Sequence, residues 1–399
     1  MKTQTYVLIG GGVTSVSAAD ALRSKGFDGA IVLLGDESEY PYERPPLSKS
    51  FLRSEITRPE IALRPADFYA QRAIDLRVDT AVEAINPHER RVQLKQGQQL
   101  AYDKLLVATG ASPRTLKVPG AELSGIHYLR SAHDCERIKE GLAAKPRVLV
   151  IGTGFIGCEV AASVRKLGCE TVLVGPTLPL EHVLGREVAE LYARYHRARG
   201  IELRVGASVT EFAGSKRVEQ AKLSDETTVP CETVIVGIGV EPSVSLVPSE
   251  VQLANGIATD EYCRTSVEDI FAAGDVAASW RPHLNTRIRF EHFVNAQLQG
   301  AAAAKAMLGK LEAYDPVPYF WSDQFDLSLQ YYGYAAKWDS CILRGRPEEY
   351  SFLALYLLDG RLEAVCGVNS PREFFAVKRL VGKTDVASLL AADETAGHL

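Results

Sequence analysis

One local pattern occurs twice in the chain, and this repetition constrains the fold more than any other feature. The segments YVLIGGGVTSVSAAD (6–20) and VLVIGTGFIGCEVAA (148–162) each contain a short apolar run, a glycine turn and an alanine-containing stretch. A buried strand that enters a helix through glycines is the opening of a βαβ unit. A second apolar run follows each copy, AIVLLGDE at 30–37 and ETVLVG at 170–175. The pattern therefore predicts two nucleotide-binding units in one α/β protein.

The second copy satisfies all three glycine positions of a dinucleotide-binding turn. The first glycine makes the tight bend, the second lets the backbone approach a pyrophosphate, and the third lets helix and strand pack closely. Gly152, Gly154 and Gly157 occupy these positions. Because the turn follows a strand and opens a helix, the match is more specific than the spacing alone.

The first copy is a weaker match but has an acid where a ribose needs one. Gly10 and Gly12 are present, whereas the small residue Ser15 stands in the third position. Asp36 and Glu37 end the second apolar run, where an acid binds a ribose hydroxyl. We therefore expect this copy to hold a dinucleotide too.

The equivalent position of the second copy leaves the coenzyme undecided between NADH and NADPH. Val174 and Gly175 end that strand, so no carboxylate is there to bind a ribose 2′-hydroxyl. No arginine stands nearby to bind a 2′-phosphate. The lack of a basic residue favours NADH, with NADPH as the alternative.

Each unit is predicted to contain a later partner strand and a small antiparallel sheet. The partner strands are DKLLVATGASPR (103–114) and ETVIVGIGVEPS (232–243), and both run into glycine. The segments at 78–94 and 203–213 lie before them and resemble strands of an antiparallel sheet.

The rest of the chain predicts one long helix and a separate α+β domain. A helical segment is expected near 291–309. From about residue 324, strand-like runs alternate and are followed by a helix at 371–382.

Composition and charge argue against several classes of function. The net charge of −5 does not favour binding of nucleic acid or anionic membrane over the whole surface. No apolar run approaches the roughly 18 residues of a membrane span, and the first residues show no signal-peptide layout. The seven cysteines are scattered without metal-ligand spacing, so no metal site is expected. A cytoplasmic protein is the expectation.

Six further segments, taken in order, resemble the FAD-dependent pyridine nucleotide-disulfide oxidoreductases. Within that family the chain is most similar to the ferredoxin reductases that serve bacterial oxygenases and cytochromes P450. The resemblance covers nearly the whole chain. The segments are YPYERPPLSKSFL (40–52), LLVATGASPR (105–114), IFAAGDVA (270–277), FEHFVNAQLQG (290–300), FWSDQFDLSLQYYG (320–333) and VNSPREFFAVKRL (368–380).

The resemblance implies two Rossmann-like dinucleotide-binding domains, similar to those of glutathione reductase, and a C-terminal α+β domain. A discontinuous FAD-binding domain is expected at 1–113 and 245–323. The NAD(P)H-binding domain is expected at 114–244, and an interface domain at 324–399.

The resemblance also implies which residues bind FAD and the nicotinamide nucleotide. Lys49 is expected beside the flavin and Glu159 near the nicotinamide carboxamide, and these two are the candidate catalytic residues. Asp275 matches an aspartate on the ribityl chain, Trp321 a tryptophan near the isoalloxazine, and Arg130 an arginine on the FAD phosphates. The implied FAD-binding set is Gly10, Gly12, Ser15, Asp36, Glu37, Arg44, Pro45, Lys49, Ala108, Thr109, Gly110, Arg130, Gly274, Asp275, Glu291, His292, Phe293 and Trp321. The implied NAD(P)H-binding set is Gly152, Gly154, Phe155, Ile156, Gly157, Glu159, Gly237, Ile238 and Gly239.

Some of these residues also fit simpler structural roles. Lys49 is compatible with a solvated loop position, Trp321 with core packing, and Asp275 with a helix cap. For His292 a structural role is favoured over an acid or base role, since hydride transfer needs neither. Cys158 stands where the family usually has an aliphatic residue, so we expect it to pack in the core.

The loop at 38–52 separates this chain from relatives that use a thiol. Disulfide reductases need a redox-active dithiol near the flavin. Relatives that act on peroxide, oxygen or coenzyme A disulfide place one cysteine in this loop, which in this chain contains none. The expected reaction is therefore hydride transfer from NADH to FAD, followed by single electrons to a small acidic [2Fe–2S] ferredoxin.

Basic residues near the C-terminus are candidates for docking that carrier. Arg372, Lys378, Arg379 and Lys383 supply positive charge, although such spacing is also typical of a solvated helix face.

Two other functions remain open from the sequence. One is a related flavoprotein reductase for rubredoxin, a quinone or a small organic radical. The other is a signalling flavoprotein similar to the apoptosis-inducing factor group. The sequence also leaves open whether the protein is a monomer or a homodimer.

Overall fold

The computed structural model describes residues 4–95 and 97–384, and internal contacts divide the chain into two compact units. The first unit consists of the chain up to Arg44, Arg58–Ser112 and Val240–Pro316. The second consists of Pro45–Thr57, Pro113–Gly239 and the chain from Val317 onward. The three predicted domain boundaries stay predictions, and 385–399 lie outside the described residues.

The described residues form short strands and helices, and each kind is numbered in chain order. The helices are α1 (Val13–Ser24), α2 (Asp67–Gln71), α3 (Ala132–Leu142), α4 (Phe155–Lys166), α5 (Glu181–Ala198), α6 (Phe293–Met307) and α7 (Pro371–Val377). Up to the second glycine turn the strands are β1 (Thr5–Ile9), β2 (Ala30–Leu34), β3 (Ile74–Arg77), β4 (Val82–Asn86), β5 (Arg91–Leu94), β6 (Gln99–Ala101), β7 (Lys104–Val107), β8 (Ala111–Pro113), β9 (Ile126–Tyr128) and β10 (Arg147–Ile151). They continue with β11 (Glu170–Gly175), β12 (Ile201–Val205), β13 (Val209–Ala213), β14 (Gln220–Leu223), β15 (Thr228–Pro230), β16 (Thr233–Val236), β17 (Val240–Pro242), β18 (Leu253–Ala254), β19 (Gly256–Thr259), β20 (Ile270–Ala272), β21 (Ala277–Arg281) and β22 (Thr286–Ile288). The last five are β23 (Tyr319–Gln324), β24 (Leu327–Gly333), β25 (Ser340–Arg346), β26 (Ser351–Leu358) and β27 (Arg361–Val368).

A parallel sheet with the order β20-β7-β1-β2-β3 forms the centre of the first unit. Leu8 of β1 pairs with Leu33 of β2 on one side and with Leu106 of β7 on the other. Both faces of the sheet are covered, which explains why its strands are almost uniformly apolar. The strand order reverses at β1, and ligands of open α/β sheets bind at such a switch point.

A helix pair covers one face of this sheet. Helix α1 packs against α6, the helix expected near 291–309. Their close approach depends on Gly300, where a Cβ would lie 2.2 Å from the backbone oxygen of Thr14. The other face packs against the small antiparallel sheet β4-β5-β6, predicted at 78–94.

The second unit contains a parallel sheet of the same kind, with the order β12-β11-β10-β16-β9. The predicted partner strand is β16, which pairs with β10 in parallel. The insertion predicted at 203–213 is only partly antiparallel, because its first residues belong to β12 of the parallel sheet. The antiparallel sheet begins at β13 and continues through β14 and β15.

The C-terminal part of the second unit is an antiparallel sheet with the order β23-β24-β27-β26-β25. Helix α7 covers it through the fully buried Phe374, which packs on Gly367. The helix predicted at 371–382 ends earlier than expected, because the chain tightens into a 3₁₀ turn at Lys378–Leu380. With the two parallel sheets, this sheet and helix confirm the predicted fold class.

Within the described residues no helix has both the length and the apolarity to cross a membrane. The same part of the chain shows no group of three or more histidine, cysteine, aspartate or glutamate side chains placed to hold a metal ion.

Candidate functional site

The first glycine turn is held between the ends of two neighbouring strands. Gly10 has φ +117°, and a Cβ there would lie 2.2 Å from the backbone oxygen of Ala108, just after β7. Its N–H donates to the carbonyl of Leu34 at the end of β2, at 2.8 Å. Only glycine meets both requirements, so this position fixes the bend that opens α1.

The next positions of this turn leave room for a ligand. A Cβ on Gly12 would have nothing within 4 Å, so open space lies beside the N-terminus of α1. Backbone N–H groups at a helix N-terminus bind phosphate, and the space on Gly12 lets a phosphate reach them. Ser15 is fully buried, as expected for the packing position. The turn therefore fits the pyrophosphate of a dinucleotide such as FAD.

An acid stands at the end of β2, as predicted. Asp36 and Glu37 line a small cavity together with Gly11. Asp36 is exposed, whereas Glu37 is held by Arg44 at 2.6 Å and by the hydroxyl of Tyr42 at 2.5 Å. Glu37 is thus the more rigid of the two ribose candidates.

The loops after β7 and β20 reach the same edge of the sheet, because these strands are parallel to β1. Thr109 donates through its hydroxyl to the carbonyl of Ser243 at 2.7 Å, which fixes the loop after β7. Gly274 has φ +78°, and a Cβ there would lie 2.3 Å from the hydroxyl oxygen of Thr14 in α1. Asp275 follows in a 3₁₀ turn at this edge.

The remaining FAD candidates of the first unit lie around the start of α6. Glu291 is exposed and pairs with Arg289 at 2.8 Å. His292 precedes the helix, and burial lowers its pKa to about 4, so it is neutral near pH 7. Phe293 is the first residue of α6.

The second glycine turn repeats the geometry of the first. Gly152 has φ +112°, and a Cβ there would lie 2.2 Å from the backbone oxygen of Gly237, just after β16. Its N–H donates to the carbonyl of Val174 at 2.8 Å. Gly154 has nothing within 4 Å of its Cβ position, whereas a Cβ on Gly157 would lie 1.8 Å from the oxygen of Gly152. The bend, the open space and the close packing are therefore all present.

Two neighbours of this turn are suited to a ligand surface. Ile156, in the first turn of α4, is 48% exposed although it is apolar. Phe155 packs edge-on against Phe320, with ring centroids 5.0 Å apart. Ile238 and Gly239 follow β16, and the carbonyl of Gly239 accepts the N–H of Arg114.

Thr153 fills the space that a side chain at Gly175 would need, at the strand end where dinucleotide-binding units usually carry an acid. A Cβ on Gly175 would lie 2.7 Å from the methyl carbon of Thr153 and 2.8 Å from its hydroxyl oxygen. Thr153 therefore fits at this position because residue 175 is a glycine. Val174 and Gly175, the last two residues of β11, carry no carboxylate.

The two predicted catalytic residues form a buried ion pair. Lys49 Nζ lies 2.6 Å from Glu159 Oε2, and the side chains are 14% and 3% exposed. The hydroxyl of Ser48 donates to the same oxygen at 2.5 Å, and the hydroxyl of Ser322 donates to Oε1 at 2.7 Å. Neither serine is among the site residues predicted from the sequence. The only signal for Ser48 is its position next to Lys49.

Four predicted FAD-binding residues lie in the second unit and not in the first: Pro45, Lys49, Arg130 and Trp321. Trp321 lies on β23 and stacks on Tyr319 with ring centroids 6.5 Å apart. Arg130 follows β9, where its N–H donates to the capping carboxylate of α3. Their roles toward a flavin stay predictions.

Cys158 is a core residue, as expected. It is fully buried, and its thiol donates to the carbonyl of Thr153 at 3.5 Å. Burial raises the pKa of this thiol far above its usual range, so it stays protonated and unreactive.

Known proteins resemble this chain over most of its length. Residues 4–300 match the family model for pyridine nucleotide-disulphide oxidoreductases, and residues 319–396 match the reductase C-terminal model. A ferredoxin–NAD(P)+ reductase of Sphingomonas is 37% identical over 94% of this chain and 92% of its own. Rhodocoxin reductase of Rhodococcus erythropolis is 38% identical over 94% and 89%.

A solved structure shows the same fold. The covalent complex of putidaredoxin reductase with putidaredoxin contains a chain with a TM-score of 0.91 and 35% identity, covering 95% of this chain and 93% of that one. The chain thus belongs to the pyridine nucleotide-disulphide oxidoreductase family and has that family's reductase C-terminal domain.

Proposed function

We propose that this protein is an FAD-dependent NAD(P)H:ferredoxin reductase. The observation that carries the proposal is the pair of glycine turns with matching geometry at Gly10 and Gly152, one for each dinucleotide. Relatives that are named as ferredoxin reductases align along nearly the whole chain, which supports the assignment. The first unit holds FAD, and the second binds NADH in preference to NADPH.

FAD, once bound, supplies the acceptor for a hydride and releases electrons one at a time. The protein residues position the reactants. Glu159 orients the nicotinamide by accepting a hydrogen bond from its carboxamide N–H. The three donors on this carboxylate fill three of its about four lone-pair sites, which leaves one for the carboxamide. Lys49 pairs with Glu159 at 2.6 Å and offsets its negative charge, and it acts on the flavin through the same positive charge.

Cysteine placement supports an external electron carrier. All seven cysteines are free thiols; six are buried and Cys341 is partly buried. None lies in the loop at 38–52, so that loop supplies no thiol to a flavin. Electrons therefore leave singly to an iron–sulfur protein that serves an oxygenase or a cytochrome P450.

The surface around α7 is proposed as the docking site for an acidic ferredoxin. Phe375 is 52% exposed, and Lys378 Nζ lies 4.3 Å from the centre of its ring. Arg372, Arg379 and Lys383 add positive charge nearby in the sequence. An exposed aromatic ring surrounded by basic residues is typical of an interface that attracts an acidic partner.

Charge reversal tests this docking surface. Lys378→Glu combined with Arg379→Glu should slow reduction of a [2Fe–2S] ferredoxin about tenfold at low salt, since steering depends on opposite charge. Reduction of ferricyanide should be unchanged. Lys117→Glu combined with Lys216→Glu, on exposed lysines, is the control. Equal loss with both acceptors would contradict the docking role.

Flavin content and reduction test the assignment itself. The purified protein should show a flavin absorbance spectrum, and anaerobic NADH should bleach it faster than NADPH. A flavin that is reduced slowly and passes no electrons to ferredoxin would instead favour another acceptor, such as rubredoxin or a quinone, or a signalling flavoprotein.

A cytoplasmic location is part of the proposal. Seven free thiols are typical of proteins kept in a reducing compartment. Fractionation of cells that produce the protein should recover it with cytoplasmic markers, and light scattering should distinguish a monomer from a homodimer.

A further inference from the structure

A row of buried polar side chains runs from Glu159 to His196. Ser322 Oγ lies 2.7 Å from Glu159 Oε1, and Gln324 Nε2 lies 3.3 Å from Ser322 Oγ. Gln324 Oε1 lies 2.8 Å from Nε2 of His196. All four residues are at most 3% exposed. The row joins helices α4 and α5 through strand β23.

The charge on Glu159 fixes the direction of every hydrogen bond in the row. A buried carboxylate only accepts hydrogen bonds, so Ser322 must give its single hydrogen to Glu159. The lone pairs of Ser322 then accept the N–H of Gln324, whose carbonyl oxygen faces His196. His196 must therefore carry its ring proton on Nε2. The opposite direction would point lone pairs of Ser322 at a buried negative charge, which is costly.

The state of His196 agrees with this direction. Burial lowers the pKa of His196 to about 4, so the ring is neutral near pH 7 and carries one proton. Its Nδ1 is buried and has no hydrogen-bond partner among the described residues, whereas Nε2 faces Gln324. A lone ring proton is better placed on the nitrogen that has an acceptor.

We propose that Ser322 is a positioning residue for the nicotinamide reaction, held in place by Gln324 and His196. The proposal rests on the proposed function, in which Glu159 binds the nicotinamide carboxamide. Ser48 and Lys49 both bind Oε2, and the terminal torsion of a glutamate is broad, so these two contacts alone let Oε1 swing. Ser322 holds Oε1 and so fixes the carboxylate plane that the carboxamide meets.

If Ser322 positions the carboxylate, its loss should slow flavin reduction but change the affinity for NADH only slightly. Most of the affinity for NADH comes from its phosphates and riboses, while hydride transfer depends on the position of the nicotinamide ring. In Ser322→Ala, the limiting rate of flavin reduction by NADH, measured anaerobically by stopped flow, should fall about tenfold. The NADH concentration that gives half of that rate should change less than about threefold. Ser322→Thr retains the hydroxyl and should restore most of the rate.

Control variants separate positioning from general stability. Thr171→Val removes a fully buried hydroxyl from β11 of the same unit and should leave the reduction rate unchanged. Gln324→Leu should slow reduction less than Ser322→Ala. The double variant should be no slower than Ser322→Ala alone, because both changes act through one contact. Additive losses, or a loss in affinity alone, would overturn the proposal.

The tautomer of His196 provides a readout that does not depend on turnover. ¹⁵N NMR of the histidine-labelled holoprotein, with His196→Gln used to assign the signal, should show the proton on Nε2. A proton on Nδ1 would reverse the hydrogen bonds and overturn the proposal.

Glu159→Gln distinguishes failure of this inference from failure of the proposed function. If Glu159→Gln slows reduction at least tenfold but Ser322→Ala does not, only the positioning role of Ser322 fails. If neither variant is slower than wild type, the role of Glu159 in the proposed function fails, and the inference fails with it. Should Ser322→Ala not fold, Ser322→Cys replaces it. That variant keeps the size but has only a weak donor, so an unchanged rate would overturn the proposal.

Discussion

The buried pair of Lys49 and Glu159 makes a quantitative prediction about stability. Lys49→Met removes the charge but keeps most of the stem, and it leaves the 3%-exposed carboxylate of Glu159 without its cation at 2.6 Å. Removing one partner of a buried pair costs about 3–5 kcal/mol. Ser48 and Ser322 still donate to the carboxylate in this variant, so we expect the lower end, about 3 kcal/mol.

The double variant Lys49→Met/Glu159→Gln tests the cause of that loss. With no uncompensated charge left, its free energy of unfolding should lie within about 1 kcal/mol of wild type, above that of the single variant. Thermal unfolding at a fixed FAD concentration should show a Tm about 9 °C lower for Lys49→Met, because one kcal/mol corresponds to about 2–4 °C in a protein part of this size.

A surface lysine of the same unit gives the control for this measurement. Lys166 lies at the end of α4 and donates to a backbone carbonyl in an exposed position. Lys166→Met should therefore change stability by less than about 0.5 kcal/mol. Wild-type stability of Lys49→Met, or a double variant less stable than the single one, would refute the reasoning.

Three further predictions concern the turns, the coenzyme and acid stability. Gly10→Ala should prevent folding of the first unit, because its Cβ would lie 2.2 Å from the backbone oxygen of Ala108. Gly12→Ala should fold, as judged by circular dichroism, and lose flavin only; equal behaviour of the two variants would contradict the assignment. Gly175→Glu combined with Thr153→Gly should raise the preference for NADH over NADPH about tenfold in steady-state kinetics, because a carboxylate binds the 2′-hydroxyl and repels a 2′-phosphate. An unchanged ratio of NADH to NADPH activity would contradict this placement of the ribose site. The pKa of His196 is lowered from 6.5 to about 4, so the unfolded chain binds more protons in that window and stability falls as the pH drops through it. His196→Gln should reduce the loss between pH 7 and pH 4 by about 3 kcal/mol in denaturant titrations, and an unaltered acid profile would contradict the buried neutral state.

Local patterns in the sequence predicted the parts of the fold that depend on local physics. Gly10 and Gly152 could be placed because a strand, a bend and a helix follow each other within a few residues, and only glycine tolerates that backbone. The parallel partner strands followed from apolar runs that end in glycine. The end of β12 could not be separated from the antiparallel insertion, because both are short strand-like runs.

The candidate site was only partly predictable for a different reason. Lys49 and Glu159 were named through family resemblance, since nothing local in the sequence shows that they meet. Ser322 and Gln324 alternate along β23 and so share one face, which is a pattern that a period of two could have suggested. His196 lies far away in the sequence on helix α5, and its contact with Gln324 forms only when the sheet packs on that helix.

Electron transfer to a ferredoxin is the most direct test of the proposed function. The purified flavoprotein would be mixed with NADH, a [2Fe–2S] ferredoxin and cytochrome c, and the reduction of cytochrome c would be followed with and without the ferredoxin. We predict rapid turnover that requires the ferredoxin and saturates as its concentration rises. The proposed function would be contradicted if NADH reduces the bound flavin but cytochrome c is reduced at the same rate with and without every ferredoxin tested.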